Sequence, residues 1–397
     1  MRLSTKVVVL TAIVISLFSY AKFNHCEKIG WSQPGTDIHQ CYTDISALFG
    51  ERGLDKGRWA FSSADNAVEY PVLQGTIMWA TAKIASGDIF TYYRFNIALL
   101  ALLFIGSALI LNRIKPELSY LYLAAPTTVL ALFINWDMWA IITMLLAIYW
   151  FDRKKEMWSA IALSISIATK FFPIILLIAI AIIYVRRQEI KKLLTYLAIS
   201  LGGYIAINLP FALTTPQGWW RFFDMNLHRQ PDWGSLWLGL NIFDFHLKGF
   251  NVISILAVLI AVLVVTIFLL SRDTPLTLAE SAIFLMAIVM ALGKVYSPQY
   301  VLWLVPLAVI ALSNSKESLT KTLPIFWFWI TAEVIYQFSI WIYLAGYGTE
   351  NLLIPRTVYG ITIFIRLFGL TTLLISLARQ HRPGRVLDLQ RWPELPV

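Results

Sequence analysis

Two carboxylates and a set of cations stand out in a sequence that is otherwise strongly apolar. Asp44 opens a short amphipathic segment, and Glu69 lies immediately before Tyr70 and Pro71. A carboxylate can accept the proton of a hydroxyl group, so each of the two is a candidate general base. Each also has a simpler explanation, because Asp44 can cap a helix and Pro71 suits the first turn of a helix that begins after Glu69.

Basic side chains lie close to the ends of several apolar segments, where they could bind the phosphate of a lipid or of a leaving group. Four that are widely separated along the chain are Lys170, Arg229, Lys294 and Arg366. Lys294 can instead extend to the membrane surface, and Arg229 can bind any phospholipid headgroup. Arg366 lies deep inside the last apolar segment, where a charge faces a cavity or a partner such as Glu333.

Other polar and aromatic residues accompany these charges. The polar ones that we select as candidates are Tyr70, Asp137, His228, Tyr296 and Gln299. Trp219 and Trp220 are typical of an aromatic belt at a membrane boundary, although aromatic rings also stack on sugars. Carboxylates for a base, cations for a phosphate and aromatic rings for a sugar suit the transfer of a sugar from a lipid phosphate to a hydroxyl group.

The two cysteines of the chain, Cys26 and Cys41, fall in the same polar segment. Two exported thiols predict a disulfide in an oxidising compartment. Such a bond would close a loop of roughly 15 residues and contribute about 3 kcal/mol by chain entropy. Two free thiols are the alternative, whereas the sequence lacks the Cys and His spacing that is typical of zinc sites.

The elements that must position these residues are membrane helices. The chain has 397 residues, of which 58% are hydrophobic and 14% are charged, whereas about 25% are charged in average soluble domains. Apolar runs of about 15–25 residues recur, and about 20 residues span a bilayer as a helix. We therefore predict an all-α polytopic membrane protein with about 10–12 transmembrane helices, which excludes a cytosolic enzyme and a nucleic-acid-binding protein.

The formal net charge of +9 is concentrated in short loops and at the chain ends. The positive-inside rule then predicts that both termini are cytoplasmic. The first apolar run, residues 7–23, lacks a small-residue cleavage site and is interpreted as an uncleaved span. We predict a single transmembrane domain over residues 1–378. Its extracytoplasmic loops are residues 24–92, with surface helices, and residues 214–249, and residues 379–397 form a basic cytoplasmic tail.

Six short polar segments also occur in a particular order. They are Tyr42-Thr43-Asp44, Glu69-Tyr70-Pro71, Asn135-Trp136-Asp137, Lys170-Phe171-Phe172-Pro173, residues 229–235 and residues 294–300. In this order and spacing, the chain resembles glycosyltransferase family 87, the actinobacterial polyprenyl-phosphate-mannose-dependent mannosyltransferases of the GT-C superfamily. It is more distantly similar to the first mannosyltransferase of GPI-anchor synthesis. The resemblance extends over about residues 1–378.

This resemblance implies a GT-C fold with an extracytoplasmic active site in a bacterial plasma membrane. It implies a hexosyltransferase of cell envelope biosynthesis, with mannose on a polyprenyl-phosphate donor and a hydroxyl of a glycolipid or glycan as acceptor. The transfer would be an inverting single displacement with Asp44 as the general base. Membrane lipids are the expected surroundings, and no nucleic acid is expected as a partner.

The resemblance also assigns roles to the other candidates. The cations at positions 170, 229, 294 and 366 would stabilise the departing polyprenyl phosphate, while Glu69, Tyr70 and Asp137 would orient the sugar or the acceptor. No metal or cofactor is expected, because Ser46 stands where an Asp-x-Asp motif would have its second carboxylate. A glycolipid transporter without glycosyl transfer and a non-catalytic assembly subunit remain as alternatives.

Overall fold

The computed structural model describes residues 2–313, 315–347, 352–380 and 392, and within them every regular element is a helix. In the first half of the chain these are α1 (Thr5–Lys28), α2 (Gly35–Ile38), α3 (Asp44–Glu51), α4 (Val72–Ala85), α5 (Ile89–Ile114), α6 (Tyr120–Ala124), α7 (Pro126–Ala131), α8 (Met138–Asp152), α9 (Glu156–Thr169), the 3₁₀ helix η1 (Phe172–Ile175) and α10 (Leu176–Arg187). The second half adds α11 (Ile190–Thr214), α12 (Pro216–His228), α13 (Leu236–Ile242), α14 (Phe250–Leu270), α15 (Leu278–Leu292), η2 (Pro298–Tyr300), α16 (Val301–Ala311), α17 (Lys316–Gly346) and α18 (Arg356–Ala378).

Six of the described helices are long and apolar enough to cross a membrane, namely α1, α5, α11, α14, α17 and α18. Shorter apolar helices lie among them, and α16 is the most enclosed, because every residue from Val301 to Ala311 is buried. A helix of 15 residues is about 22 Å long, less than the ~30 Å hydrocarbon core. The shorter helices are therefore too short to span the hydrocarbon core along its normal, and the prediction of an all-α polytopic membrane protein is confirmed.

Helix α14 shows what faces the lipid. Its side chains are apolar around the whole circumference, and Val252, Leu259 and Leu263 are each more than half exposed. Because such a helix cannot face water, these residues mark a surface that contacts acyl chains.

Prolines account for helix breaks in two apolar stretches of the chain. The apolar run over residues 118–134 predicts one span, but α6 ends at Ala124 and α7 starts at Pro126, with Ala125 extended between them. Proline lacks an amide hydrogen and disfavours a helical residue before it, so the helix stops there. In the apolar stretch over residues 158–185, Pro173 predicts a turn at residues 170–173, and the structure has this break at Lys170, after the end of α9.

All the segments that line the main cavity lie at one end of the bundle, which we call the cavity end. They come from residues 33–71, 134–135, 170–172, 220–233, 255, 295–300 and 340–344. Helices α8 and α10 begin close to the lining residues 134–135 and 170–172, so the basic residues at their C-terminal ends lie a helix length away from the cavity. Arg153, after α8, also donates to the carbonyl of Arg113 near the end of α5 at 3.4 Å. The expected loop 24–92 includes the last turn of α1 as well as α2, α3 and α4, and the loop 214–249 contains α12 and α13.

Most of the predicted tail, residues 379–397, falls outside the described residues. Trp392 is described, and it is buried at the end of the bundle opposite the cavity. Its backbone nitrogen donates to the carbonyl of Arg186 at 2.8 Å, and its indole donates to the carbonyl of Arg272 at 3.0 Å.

Candidate active site

A cavity of about 730 Å³ opens at the cavity end and collects many of the candidate residues. The candidates that line it are Asp44, Glu69, Tyr70, Lys170, Arg229 and Gln299. They come from five separate segments of the chain, so the tertiary structure brings together what the sequence keeps up to about 255 residues apart.

The carboxylate of Asp44 is free to face this cavity because another residue caps its helix. The N-cap of α3 is Thr43, whose hydroxyl accepts a hydrogen bond from the amide of Ile45 at 3.2 Å. The backbone of Asp44 is held as well, since its amide donates to the carbonyl of Ile134 at 2.8 Å. The expectation that Asp44 itself could be the helix cap is therefore wrong.

Asn135 holds the Asp44 carboxylate in place. Its Nδ2 donates to Asp44 Oδ2 at 2.6 Å and to the Tyr70 hydroxyl at 2.9 Å, while its own Oδ1 accepts from the amide of Trp136 at 2.6 Å. The indole of Trp136 in turn donates to Asn96 Oδ1 at 2.7 Å. Asn135 is buried, and with both ends of its amide engaged, only one rotamer satisfies every partner.

The surroundings of Asp44 also tune its proton affinity. Burial raises the pKa of Asp44 to about 6, although the hydrogen bond from Asn135 and the charge of Lys170 both lower it. The carboxyl group is thus ionised at neutral pH and remains a stronger base than an exposed aspartate.

Lys170 reaches the cavity from the break after α9, where its backbone is extended. Its ammonium lies 2.9 Å from Asp137 Oδ1 and 4.5 Å from the centre of the Tyr70 ring. Asp137 is buried beneath it and does not line the cavity. The turn that carries Asn135 therefore also carries the carboxylate that positions Lys170.

Glu69 lines the cavity, but both of its oxygens are already engaged. Arg52 donates to them from Nε at 2.6 Å and from Nη2 at 2.7 Å. This bidentate pair joins the end of α3 to the segment before α4. Its geometry is that of a structural support for the cavity wall.

Arg229 follows the end of α12 and pairs with Asp232 at 2.5 Å in the tight turn that leads to α13. Gly234 in this turn has φ +77°, and a Cβ there would lie 2.1 Å from the Tyr336 hydroxyl. Only glycine fits both the backbone and the space. The turn is also attached to the neighbouring segment, because the amide of Asp232 donates to the carbonyl of Lys294 at 2.9 Å.

Lys294 is buried beside this turn and does not line the cavity. Its ammonium donates to the carbonyl of Leu227 at 2.7 Å, near the end of α12, and also hydrogen-bonds the side chain of Asn251. Burial lowers the pKa of Lys294, and the nearby charge of Arg229 lowers it further. A cation at the C-terminus of α12 compensates the negative end of that helix.

Arg366 is fully buried and does not reach the cavity. Its Nε donates to Glu333 Oε2 at 2.7 Å, which is the structural pair considered above. The other nitrogens donate to the carbonyls of Tyr296 at 2.6 Å and Ser297 at 3.0 Å. Tyr296 also donates its hydroxyl to Glu333 at 2.9 Å. This network fixes the backbone of the segment that presents Gln299 to the cavity.

His228 is not part of the site. It is exposed on the last turn of α12, and its ring contacts Asp224 one turn earlier. Two of the carboxylates that line the cavity, Asp37 and Asp232, are not among the candidates from the sequence. Asn135 was noted only as part of a motif. Asp37 could have been found from its position between the two cysteines.

Cys26 and Cys41 form a disulfide with a sequence separation of 15. The bond connects the last turn of α1 to the segment between α2 and α3, and both cysteines are fully buried. Together, the described residues that line the cavity supply a carboxylate with a raised pKa, two cations that can bind an anion, and aromatic rings.

Comparisons with known proteins give the following matches. The family described as ALG3 protein matches residues 83–345, which is more than half of the chain. Among solved structures, the chain is similar to ArnT from Cupriavidus metallidurans bound to undecaprenyl phosphate, with 14% identity and a TM-score of 0.48. That likeness covers 95% of this chain and 78% of the other. No curated protein matches this chain.

Proposed function

Because the chain belongs to the ALG3 protein family, we propose that it moves a sugar from a polyprenyl-phosphate donor to a hydroxyl group of a glycolipid or glycan. Members of this family are GT-C-like glycosyltransferases, and the chain is accordingly a membrane glycosyltransferase of the GT-C type. The lipid donor, mannose as its sugar, the acceptor and a closer kinship with glycosyltransferase family 87 are all parts of the proposal.

In the proposed reaction, the acceptor hydroxyl oxygen attacks the anomeric carbon of the donor sugar. A new carbon–oxygen bond forms as the bond between the anomeric carbon and the phosphate oxygen breaks. The electron pair leaves with the polyprenyl phosphate, and the hydroxyl proton passes to the carboxylate of Asp44. One displacement inverts the anomeric configuration. The pKa of Asp44, about 6, suits a base that works near neutral pH.

The observation that carries this proposal is the placement of Asp44 in one cavity with Lys170 and Arg229. Within the described residues, these two cations pair with Asp137 and Asp232 and leave Asp44 to its hydrogen bonds. We assign Lys170 and Arg229 to the leaving phosphate, because a cation there stabilises charge as it develops. Lys294 and Arg366 support the segments that carry the site, and Tyr70 and Gln299 are assigned to the sugar.

The proposed reaction uses no metal ion or cofactor. This part of the proposal rests on Ser46, which replaces the second carboxylate of an Asp-x-Asp motif. The orientation also belongs to the proposal, with the cavity on the extracytoplasmic side of the plasma membrane and both termini in the cytoplasm. It follows from the positive-inside rule and from the basic residues at the end opposite the cavity.

A transfer assay in proteoliposomes tests the function. The full chain is supplied with radiolabelled polyprenyl-phosphate-mannose and a glycolipid extract. We expect Asp44→Asn to abolish transfer while the protein still folds, and Asp65→Asn, an exposed carboxylate of the same loop, to keep full activity. Full transfer by Asp44→Asn would refute Asp44 as the base. Movement of the labelled lipid without cleavage of its sugar would instead indicate a transporter.

A further inference from the structure

Two parts of the cavity wall differ in charge. Lys170, Arg229 and the aromatic residues of α12 form one part. The first segment of the chain and α17 form the other, which contains Gln33, Asp37, Tyr42 and Trp341. No lysine or arginine lines this second part within the residues that the structure describes.

Asp37 is the least explained charge in the cavity. It lies on α2, only 8% of the residue is exposed, and yet it lines the cavity. Gln33 is its side-chain hydrogen-bond partner, and the described residues place no basic side chain within ion-pair distance of its carboxylate. A buried carboxylate without a cation is costly unless something supplies hydrogen-bond donors. A bound ligand can supply them.

Tyr42 connects Asp37 to the proposed base. Its ring stacks on Trp341 with the ring centres 5.4 Å apart. The charge of Asp44 raises the pKa of Tyr42, its hydrogen bond to the same carboxylate adds to this, and Asp37 contributes a smaller effect of the same sign. Tyr42, Asp37 and Asp44 all line the same cavity, so a molecule bound at Asp37 shares that cavity with the proposed base.

The charge of this part of the wall selects the ligand. A phosphate is repelled by Asp37 and Asp44 and attracted by the cations of the other part, so the donor phosphate is excluded from here. Carboxylate and amide oxygens accept hydrogen bonds from hydroxyl groups, and aromatic rings add apolar contact. These properties fit a neutral, hydroxyl-rich group.

We propose that Gln33, Asp37, Tyr42 and Trp341 form the acceptor subsite and that it binds a neutral sugar residue of the acceptor. The identification as the acceptor rests on the proposed function, whereas the binding of a neutral sugar does not. The subsite is held in shape by the disulfide, because Gln33 and Asp37 lie between Cys26 and Cys41.

Calorimetric titration of the full chain in lipid nanodiscs tests the subsite without any transfer. The probes are methyl glycosides of mannose, glucose and N-acetylglucosamine, mannose 6-phosphate, and polyprenyl phosphate. We expect the wild type to bind at least one neutral glycoside, and Asp37→Asn to weaken that binding roughly 10-fold or more, as for a lost hydrogen bond to a charged group. Asp65→Asn serves as the matched control and should bind as the wild type does.

Two further results are expected. Mannose 6-phosphate should bind the wild type more weakly than methyl mannoside, and the difference should shrink in Asp37→Asn. Polyprenyl phosphate should bind both proteins equally. The proposal is overturned if no neutral glycoside binds the wild type, if Asp37→Asn binds the glycoside as tightly as the wild type, or if polyprenyl phosphate binding falls as much as sugar binding.

A kinetic measurement separates this proposal from the proposed function. With an active acceptor, Asp37→Asn should raise the KM for the acceptor and leave the KM for the donor and the kcat close to their wild-type values. Asp37→Glu should recover part of the affinity. If Asp44→Asn keeps full transfer while Asp37→Asn loses sugar binding, the base assignment fails and the sugar subsite stands.

Discussion

Replacement of Asn135 by Ala should move the pH dependence of transfer. Asn135 donates to Asp44 at 2.6 Å and so favours the ionised carboxylate, whose pKa burial nevertheless raises to about 6. A hydrogen bond to a charged group contributes about 1.5–3 kcal/mol. At 1.36 kcal/mol per pH unit, its loss should raise the pKa of Asp44 by about 1–2 units.

The sign follows from the role of the base. Asp44 must be deprotonated to accept a proton, so the rate falls as the pH drops through its pKa. Initial rates measured between about pH 5 and about pH 9 should show the midpoint of this acid limb near 6 in the wild type and roughly 1–2 units higher in Asn135→Ala. At about pH 6 the variant should be roughly 5–50-fold slower, and at about pH 9 it should approach the wild type.

Asn226→Ala is the matched control. Asn226 also lines the cavity, but its amide donates to the carbonyl of Phe222 at 2.7 Å and does not contact Asp44. Its acid limb should coincide with that of the wild type. The reasoning is refuted if Asn135→Ala keeps the wild-type midpoint, or if it loses the same fraction of activity at every pH, which would indicate misplacement of the carboxylate and no change in its pKa.

Three further predictions concern stability, measured as thermal unfolding of the full chain in detergent. The pKa of Asp44 in the folded protein, about 6, exceeds its ordinary value of 3.8, so ionisation of Asp44 destabilises the fold as the pH rises through this interval. Asp44→Asn should therefore be inactive yet more stable than the wild type by about 1–3 kcal/mol at pH values above this interval. A lower unfolding midpoint in this variant would contradict the prediction. Glu333→Gln leaves Arg366 buried without its anion and should lower the free energy of unfolding by about 3–5 kcal/mol. The double variant Glu333→Leu with Arg366→Met should recover part of this stability. An unchanged unfolding midpoint in Glu333→Gln would show that the pair is dispensable. Replacement of both Cys26 and Cys41 by serine should lower the free energy of unfolding by about 3 kcal/mol. It should also weaken the binding of neutral glycosides more than the binding of polyprenyl phosphate. An equal loss of both would argue against a role of the disulfide in holding the sugar subsite.

Asp44 and Arg366 show how far the residues alone could lead. The local setting of Asp44 predicts a candidate base, and in the structure Asp44 lines the cavity while Thr43 caps the helix. Arg366 was selected because charge is rare at its depth, and that argument left a cavity and a partner open. The structure brings Glu333 to within 2.7 Å of it. Which face of a helix a residue occupies relative to its neighbours depends on packing, and a single sequence does not specify it.

Asp37 and Glu69 also show that a single sequence does not specify which charged residues pair with one another. Both are carboxylates in a loop that carries many charges, and the sequence around each of them does not show which one has a cationic partner. In the structure, Arg52 engages both oxygens of Glu69, while Asp37 remains without a cation among the described residues. The difference comes from contacts between segments, since Arg52 is 17 residues away from Glu69 in the chain.

The apolar content and its division into runs are sufficient to establish a helical membrane protein. Burial of an unpaired backbone in hydrocarbon is so costly that such runs must form helices, whatever surrounds them. The helix break before Pro126 has a local cause, because proline lacks an amide hydrogen, although the apolar run around it predicts one continuous span. The charge of the cavity cannot be predicted in this way, because it depends on which charged residues, far apart in the sequence, form ion pairs with one another. Only the packing of the helices pairs Lys170 with Asp137 and Arg366 with Glu333, and so leaves Asp44 and Asp37 to face the cavity without an ion-pair partner among the described residues.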